Sequence, residues 1–192
     1  MKYDGFFEIK KDSTAMFQDF YFIASSVSND ATRLMMNFVW VEKEDDDLVM
    51  IATDGMRMHV LRPNKKVIDF LGIKEGAYSV VFKTKGKLGF AHIADEKEVG
   101  KFVNWRNVIP TDEVDRNCEK FPIENDKTGR YFVHFSKKLY KEDGINLNYI
   151  KDLSGFIWDI KFYAPHKPIV FFADGNKEAY IMPMRGMDNV QD

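Results

Sequence analysis

The chain has a single cysteine, Cys118, in 192 residues, so no internal disulfide can form and a reducing compartment is expected. Its four histidines, His59, His92, His134 and His166, share no metal-ligand spacing with one another or with the cysteine, which leaves zinc chemistry and a thiol nucleophile without support. The phosphate loop G-x-x-x-x-G-K-[ST], the dinucleotide fingerprint G-x-G-x-x-G and the nucleophile elbow G-x-S-x-G are all missing, and no catalytic constellation takes their place. The chain therefore reads as a non-enzyme without a cofactor or a metal. No apolar run reaches the roughly 18 residues of a membrane span, and Met1 to Asp12 lacks the apolar core of a secretory leader. A cytoplasmic location and no membrane partner are expected. An excess of charge is missing too: 28 Lys and Arg against 30 Asp and Glu leave a net charge of -2. No global field draws such a chain onto nucleic acid, so a DNA contact must come from a local patch or from topology.

What is present is an ordinary globular balance, 45% hydrophobic and 30% charged, with 17 Phe among the aromatics. Aromatics at that level point to several strands, because they fit half-buried pleated surfaces. "FFEIKK", Phe6 to Lys11, reads as a strand, and Asp12-Ser13-Thr14 offers N-cap chemistry for a helix. Met16, Phe20, Ile23, Ala24 and Val27 recur at helical spacing, which predicts that helix over Ser13 to Ser26. "LMMNFVWVEK", "LVMIATD" and "MRMHVLR" then read as three strands. The acidic run Glu44 to Asp47 makes the first connection as a solvated loop and Asp54-Gly55 the second as a tight turn.

The last third repeats this order. "INLN" opens it, "NYIKDLSGFI" predicts a short helix, and "WDIKFYA", "KPIVFFAD" and "EAYIMPM" read as strands with Asp174-Gly175 at the last turn. The same β-α-β-β-β unit is thus expected twice, a long-period repeat with slight identity between the copies. In the middle, "AYSVVFK" and "KLGFAHIA" form a hairpin around Lys85-Gly86, and a short helical turn ends at Pro110. These readings predict an α+β chain with helices on one face of antiparallel sheets. Residues 1–115 would hold the first unit and a reduced second one, 116–128 a polar linker, and 129–187 the C-terminal unit, starting with the strand "RYFVHFSKK".

Two stretches stand out. In "MIATDGMRMHVLRP", Met50 to Pro63, strand alternation sends Met56 and Met58 to one face and Arg57 to the other. In "AYIMPMRG", Ala179 to Gly186, Pro183 cannot donate a ladder hydrogen bond and marks an edge. Met182 and Met184 flank it. Two readings stay open for these methionines: core filling beside a bent edge strand, or an adaptable apolar surface of the kind that binds varied peptides.

Ala52-Thr53-Asp54-Gly55-Met56-Arg57-Met58 resembles the A-T-D-G-H-R-L motif of the bacterial DNA polymerase III beta subunit, the sliding clamp, and Ile181 to Gly186 resembles its terminal V-M-P-M-R-L. "RLMMN", Arg33 to Asn37, and "KFVNWRNVIP", Lys101 to Pro110, are similar to two further family segments in the same order, and Gly144 to Arg185 follows the family's final helix and strands. The resemblance implies a DNA-clamp-like fold of repeated β-α-β-β-β units and the role of a polymerase processivity factor in DNA replication. It implies a hydrophobic pocket for short linear peptides of DNA polymerase and other clamp-binding proteins, built from Arg33, Met36, Thr53, Gly55, Met56, Arg57, Met58, Pro110, Ile181, Met182, Pro183 and Met184, with Arg185 at its border. Thr53 and Arg57 would fix the peptide's direction. Double-stranded DNA and further copies of the chain are partners that the resemblance also implies, with Lys10, Lys11 and Lys151 as the DNA-binding residues. Family chains are about twice as long, and the first predicted helix carries no Lys or Arg. These departures motivate the alternative of a clamp-derived peptide-binding module that does not encircle DNA.

Overall fold

Phe38-Val39-Trp40-Val41 is apolar at every position rather than alternating, and the computed structural model of the chain shows why: both faces of this strand are covered. The structure describes residues 1–102, 104–123, 139 and 143–185. They divide into two compact units, Met1–Asn104 and Trp105–Asp192, where sequence patterning had drawn the first boundary at residue 115.

The first unit contains β1 (Tyr3–Lys10), α1 (Thr14–Ser25), β2 (Phe38–Glu44), β3 (Asp47–Thr53), β4 (Arg57–Leu61), α2 (Lys65–Leu71), β5 (Gly76–Lys83) and β6 (Lys87–Ile93). Its strands run β1-β6-β5-β2-β3-β4, antiparallel throughout. Helix α1 falls within one residue of its predicted span, although Ser13 makes no side-chain cap. Phe17, Phe20, Ile23 and Ala24 from α1 pack onto Phe7, Val39, Val41, Met50, Ala52, Tyr78 and Phe90 of the sheet. At the centre, Phe7 stacks on Phe90 at 4.9 Å, and Phe20 meets both rings edge-on at 5.8 and 5.7 Å, geometry that aromatic quadrupoles favour. The other side of β2 sends Phe38 and Trp40 into a second cluster with Ala77, Ile93 and Val99, where Phe102 stacks on Trp40 at 5.2 Å.

Helix α2 lies in the stretch that hydrophobic patterning left unassigned. Its signals are local: the Asn64 side chain accepts from the Lys66 N–H at 2.8 Å, and Gly72 closes the helix at φ +63°. Asn at the N-cap and a left-handed glycine at the C-terminal end are preferred terminators.

The second unit contains β7 (Arg116–Ile123), β8 (Asp143–Gly144), α3 (Leu147–Lys151), β9 (Phe156–Phe162), β10 (Ile169–Ala173), β11 (Lys177–Ile181) and β12 (Met184–Arg185). Its sheet runs β11-β10-β9-β7, and β12 pairs separately with β8. Residues 116–123, expected as linker, form strand β7. Polarity misled the reading because β7, the last strand of its sheet among the described residues, buries only Phe121 and Ile123, and Pro122 is tolerated as edge-strand proline. The expected strand Arg130 to Lys138 lies outside the described residues.

The predicted repeat has a geometric signature. In the first unit, Trp40 Nε1 donates to the Met35 carbonyl at 2.7 Å; in the second, Trp158 Nε1 donates to the Leu153 carbonyl at 2.8 Å. Each tryptophan sits on the first strand after a helical segment and reaches back five residues. Trp158 also meets Phe156 and Phe171 edge-on, at 5.7 and 6.1 Å.

Between α1 and β4 lies fully buried His59, stacked on Phe22 with ring centroids 4.2 Å apart. Its Nδ1–H donates to the Phe22 carbonyl at 2.7 Å, while Nε2 is buried without a hydrogen bond. Burial, helped by the cations Arg57 and Lys83, lowers its pKa from 6.5 to about 3, against the opposing pull of the Phe22 carbonyl. The unfolded chain therefore binds the proton first, and stability falls as pH drops below about 6.5 until the folded value near 3 is reached. One such group gives about 2 kcal/mol of lost stability between pH 7 and pH 5. Urea denaturation across that range should show this slope in the parent and lose it in His59→Phe; an equal slope in the variant contradicts the assignment.

Candidate functional site

The motif Ala52 to Met58 spans the β3–β4 turn, and its polar residues bind the turn to itself. Asp54 Oδ1 accepts from the Met56 and Arg57 N–H groups at 2.9 and 3.0 Å, and Thr53 Oγ1 accepts from the Gly55 N–H at 3.0 Å while donating to the Arg57 carbonyl at 2.6 Å. Arg57 Nε pairs with Asp54 Oδ2 at 3.1 Å, and its Nη2 donates to the Ser25 carbonyl, the last of α1, at 2.6 Å. An orphan helix-end carbonyl and a guanidinium suit each other by charge as well as by hydrogen bond. With its side chain only 10% exposed, Arg57 is a brace between turn and helix.

The seven sequence-predicted pocket residues of this unit, Arg33, Met36, Thr53, Gly55, Met56, Arg57 and Met58, lie in this turn or beside it. Gly55, at φ +88°, leaves no room for a side chain: an added Cβ would lie 2.6 Å from Arg33 Nη1 and 3.5 Å from Met36 Sδ. Arg33 Nη1 in turn donates to the Asp54 carbonyl at 3.2 Å. The 3-10 turn Leu34–Met36 places Met36, half-buried, beside the glycine. Met56 is 44% exposed whereas Met58 is 3% exposed, so the two methionines sharing a strand parity differ fully in access. The result is a surface of methionine and backbone, framed by the exposed Arg33 guanidinium.

In the second unit, Ile181 and Pro183 are buried, Met182 is half-buried and Met184 is 45% exposed. Pro183 falls between β11 and β12, where the chain leaves one sheet for the other, as a proline without a ladder N–H requires. Arg185 lies in β12 opposite Asp143. Pro110 is half-buried, two residues beyond the 3-10 turn Trp105–Val108.

Lys10 and Lys11 are exposed where β1 runs into α1. Lys10 lies opposite Lys87, and the Lys11 N–H donates to the Gly86 carbonyl at 3.0 Å, which gathers Lys10, Lys11, Lys85 and Lys87 at one end of the first unit. Sequence reading missed the last two. The signal was "KTKGK", Lys83 to Lys87, a basic hairpin turn whose register with β1 no local pattern reveals. Lys151 is exposed in α3, in the other unit. Among the described residues no group of His, Cys, Asp or Glu could hold a metal ion, and no helix is long and apolar enough to cross a membrane.

An antiparallel α+β architecture with a β-α-β-β-β order, its helix on the sheet face and Asp-Gly turns between strands, is a DNA-clamp-like fold. Solved structures carry the point further: the chain is similar to DNA polymerase III subunit beta of Borrelia burgdorferi, with a TM-score of 0.56 at 16% identity over 95% of this chain and 63% of that one. The DNA polymerase sliding clamp of Bacillus subtilis gives 0.55 at 13% identity over 96% and 66%. The sliding clamp of Bartonella birtlesii, bound to griselimycin, gives 0.53 at 13% over 96% and 67%. At these identities the likeness defines the fold, and the chain spans about two thirds of the length of those clamps. No family model and no curated protein matches the sequence.

Because Gly55 holds a positive φ and an occupied flank, Gly55→Ala should cost about 1–3 kcal/mol in denaturant unfolding. It should also displace the Arg33 guanidinium; unchanged stability contradicts the strained-turn description.

Proposed function

We propose that the chain is a compact sliding-clamp-like processivity factor, which tethers a polymerase to DNA and binds short linear peptides of replication proteins on its methionine-bearing surfaces. One observation carries this reading: the clamp fold covers 95–96% of the chain, and within it the Ala52 to Met58 motif forms a hydrogen-bonded turn in which Met56 is exposed and Arg33 and Met36 lie against the neighbouring Gly55. A peptide with aliphatic and aromatic anchors needs an apolar surface that adapts around fixed polar guides. Met56 and Met36 offer the first and Arg33 the second. Thr53, Arg57 and buried Met58 hold the turn in shape. In the second unit, Met182 and Met184, set by Ile181 and Pro183, are proposed to offer a methionine-bearing peptide surface of that unit's own, with Pro110 and Arg185 as lesser contributors.

For the DNA-facing role, the lysine cluster Lys10, Lys11, Lys85 and Lys87 supplies the local positive patch that a net charge of -2 does not. Self-assembly has a physical basis too. Among the described residues strand β1 has β6 as its one neighbour, and a strand edge open in this way is a template for another chain. The second reading, a peptide-binding module that does not encircle DNA, is favoured by helix α1, which carries no Lys or Arg to face a phosphate backbone.

Fluorescence-polarisation titration with a labelled clamp-binding peptide tests the proposal. The parent should saturate, and Met56→Asp and Met184→Asp should each weaken binding by roughly 1–3 kcal/mol, since each puts an unpaired charge where an apolar anchor packs. A parent that does not bind contradicts the peptide-binding role.

A further inference from the structure

The two ladders on β2 stop at different places. On one side β3 pairs with it as far as Glu44 and Asp47, whereas on the other β5 pairs only as far as Val41 and Gly76. The residues that would carry β5 past Gly76 are engaged elsewhere. The Lys74 N–H donates to Tyr78 Oη at 3.0 Å, the Tyr78 hydroxyl donates to the Lys74 carbonyl at 3.1 Å, and the Glu75 carbonyl lies 3.0 Å from His92 Nε2. Gly76, at φ +126°, makes the change of direction that a side chain would resist.

The hairpin decides which backbone groups this leaves open. Asp45 and Asp46 are the whole loop between β2 and β3, with Asp45 at φ +55°, so Glu44 and Asp47 exchange both of their ladder bonds. Antiparallel alternation then turns the N–H and C=O of Glu42 and Glu44 toward β3, and those of Val41 and Lys43 toward β5. Val41 meets Gly76 there. Lys43, two residues further on, has no strand on that side among the described residues, and it lines a groove of about 810 Å³. Trp40 and Phe102, stacked 5.2 Å apart, make the apolar wall of this groove, and exposed Lys97 and Lys101 come from the same segment as half-buried Phe102. Glu42 and Glu75 line it as well, so it is no general anion site. It lies at the opposite end of β2 from the Met36 and Gly55 surface.

We infer that this groove takes an extended segment of a partner protein as a short added strand, one residue of which exchanges backbone hydrogen bonds with Lys43. Val41 packs in the core under α1 and Trp40 in the cluster on the other face, so the residue bonded to Lys43 points its side chain to the α1 face and its two neighbours point theirs into the groove. One neighbour lays an apolar side chain on Phe102, and the other brings a carboxylate to Lys97 and Lys101. In strand addition the main-chain bonds give affinity and the alternate side chains give specificity. The inference does not depend on the methionine surfaces and stands or falls apart from them.

Polarisation titration of the full chain with a labelled hexapeptide tests this, the peptide carrying Asp and Phe two residues apart around a single Val. The parent should saturate. The same peptide N-methylated at Val lacks the N–H offered to Lys43 and should bind roughly tenfold more weakly, and exchange of its Asp for Lys should weaken binding several-fold. In the protein, Lys43→Pro removes the N–H that faces the groove while leaving the β2–β3 ladder whole. It should bind roughly tenfold more weakly than Lys43→Ala, which lacks the same side chain but keeps that N–H, with far-UV circular dichroism checking that both variants fold. A parent that does not saturate at millimolar peptide overturns the inference, as does equal affinity for the methylated and unmethylated peptides or for the Asp and Lys peptides. If Lys43→Pro does not fold, the methylated peptide on the parent decides the question alone.

Discussion

The geometry of the first unit depends on one guanidinium. Arg57 reaches from the β3–β4 turn to the Ser25 carbonyl and closes back on Asp54, so a partly buried ion pair of the turn is tied to the helix end. Around it, Ser26 Oγ donates to the Ala52 carbonyl at 3.0 Å and the Ser28 N–H to the Met36 carbonyl at 2.9 Å. These bonds fix where the 3-10 turn Leu34–Met36 lies, and with it Arg33 and Met36 beside Gly55. Removing one member of such a pair leaves an uncompensated charge with little water to take it up, which makes it a constraint rather than a small increment of stability. His59, neutral and stacked on Phe22 beneath the same helix end, adds a second condition: the packing tolerates no charge there.

Such rigidity beneath an adaptable surface suits the proposed role. Methionine has three rotatable bonds and a polarizable sulfur, so Met56 and Met184 can settle around different anchors. The Asp54-Gly55 turn is held by its own side-chain bonds, and Met184 lies over a glycine on a short two-strand ladder. Preorganised backbone with mobile side chains lowers the ordering cost of binding and keeps a range of partners.

Sequence patterning reached the elements whose signals are local or strongly periodic. α1, the hairpins β3–β4, β5–β6 and β10–β11, and the repeated order all followed from spacing and Asp-Gly or Lys-Gly turns. It missed α2, whose Asn64 and Gly72 caps were present but whose short apolar face was not periodic enough to read. It took β7 for a linker because an end strand with a bulge between Cys118 and Phe121 carries mostly exposed polar residues. At the site, the residue names were legible through the motif, while their division of labour was not. Arg57 reads as a polar guide until its Ser25 partner, 32 residues away, is seen. Contacts of that separation exist only once the fold is formed.

The central claim of the proposed function is that this clamp fold acts on DNA by topology. It is tested most directly by light scattering of the protein with nicked circular DNA, before and after the circle is linearised. A multimer of the chain that stays on the circle in moderate salt and leaves the linear product is the predicted result. A monomer whose association with DNA is indifferent to linearisation contradicts the claim and leaves a peptide-binding module in its place.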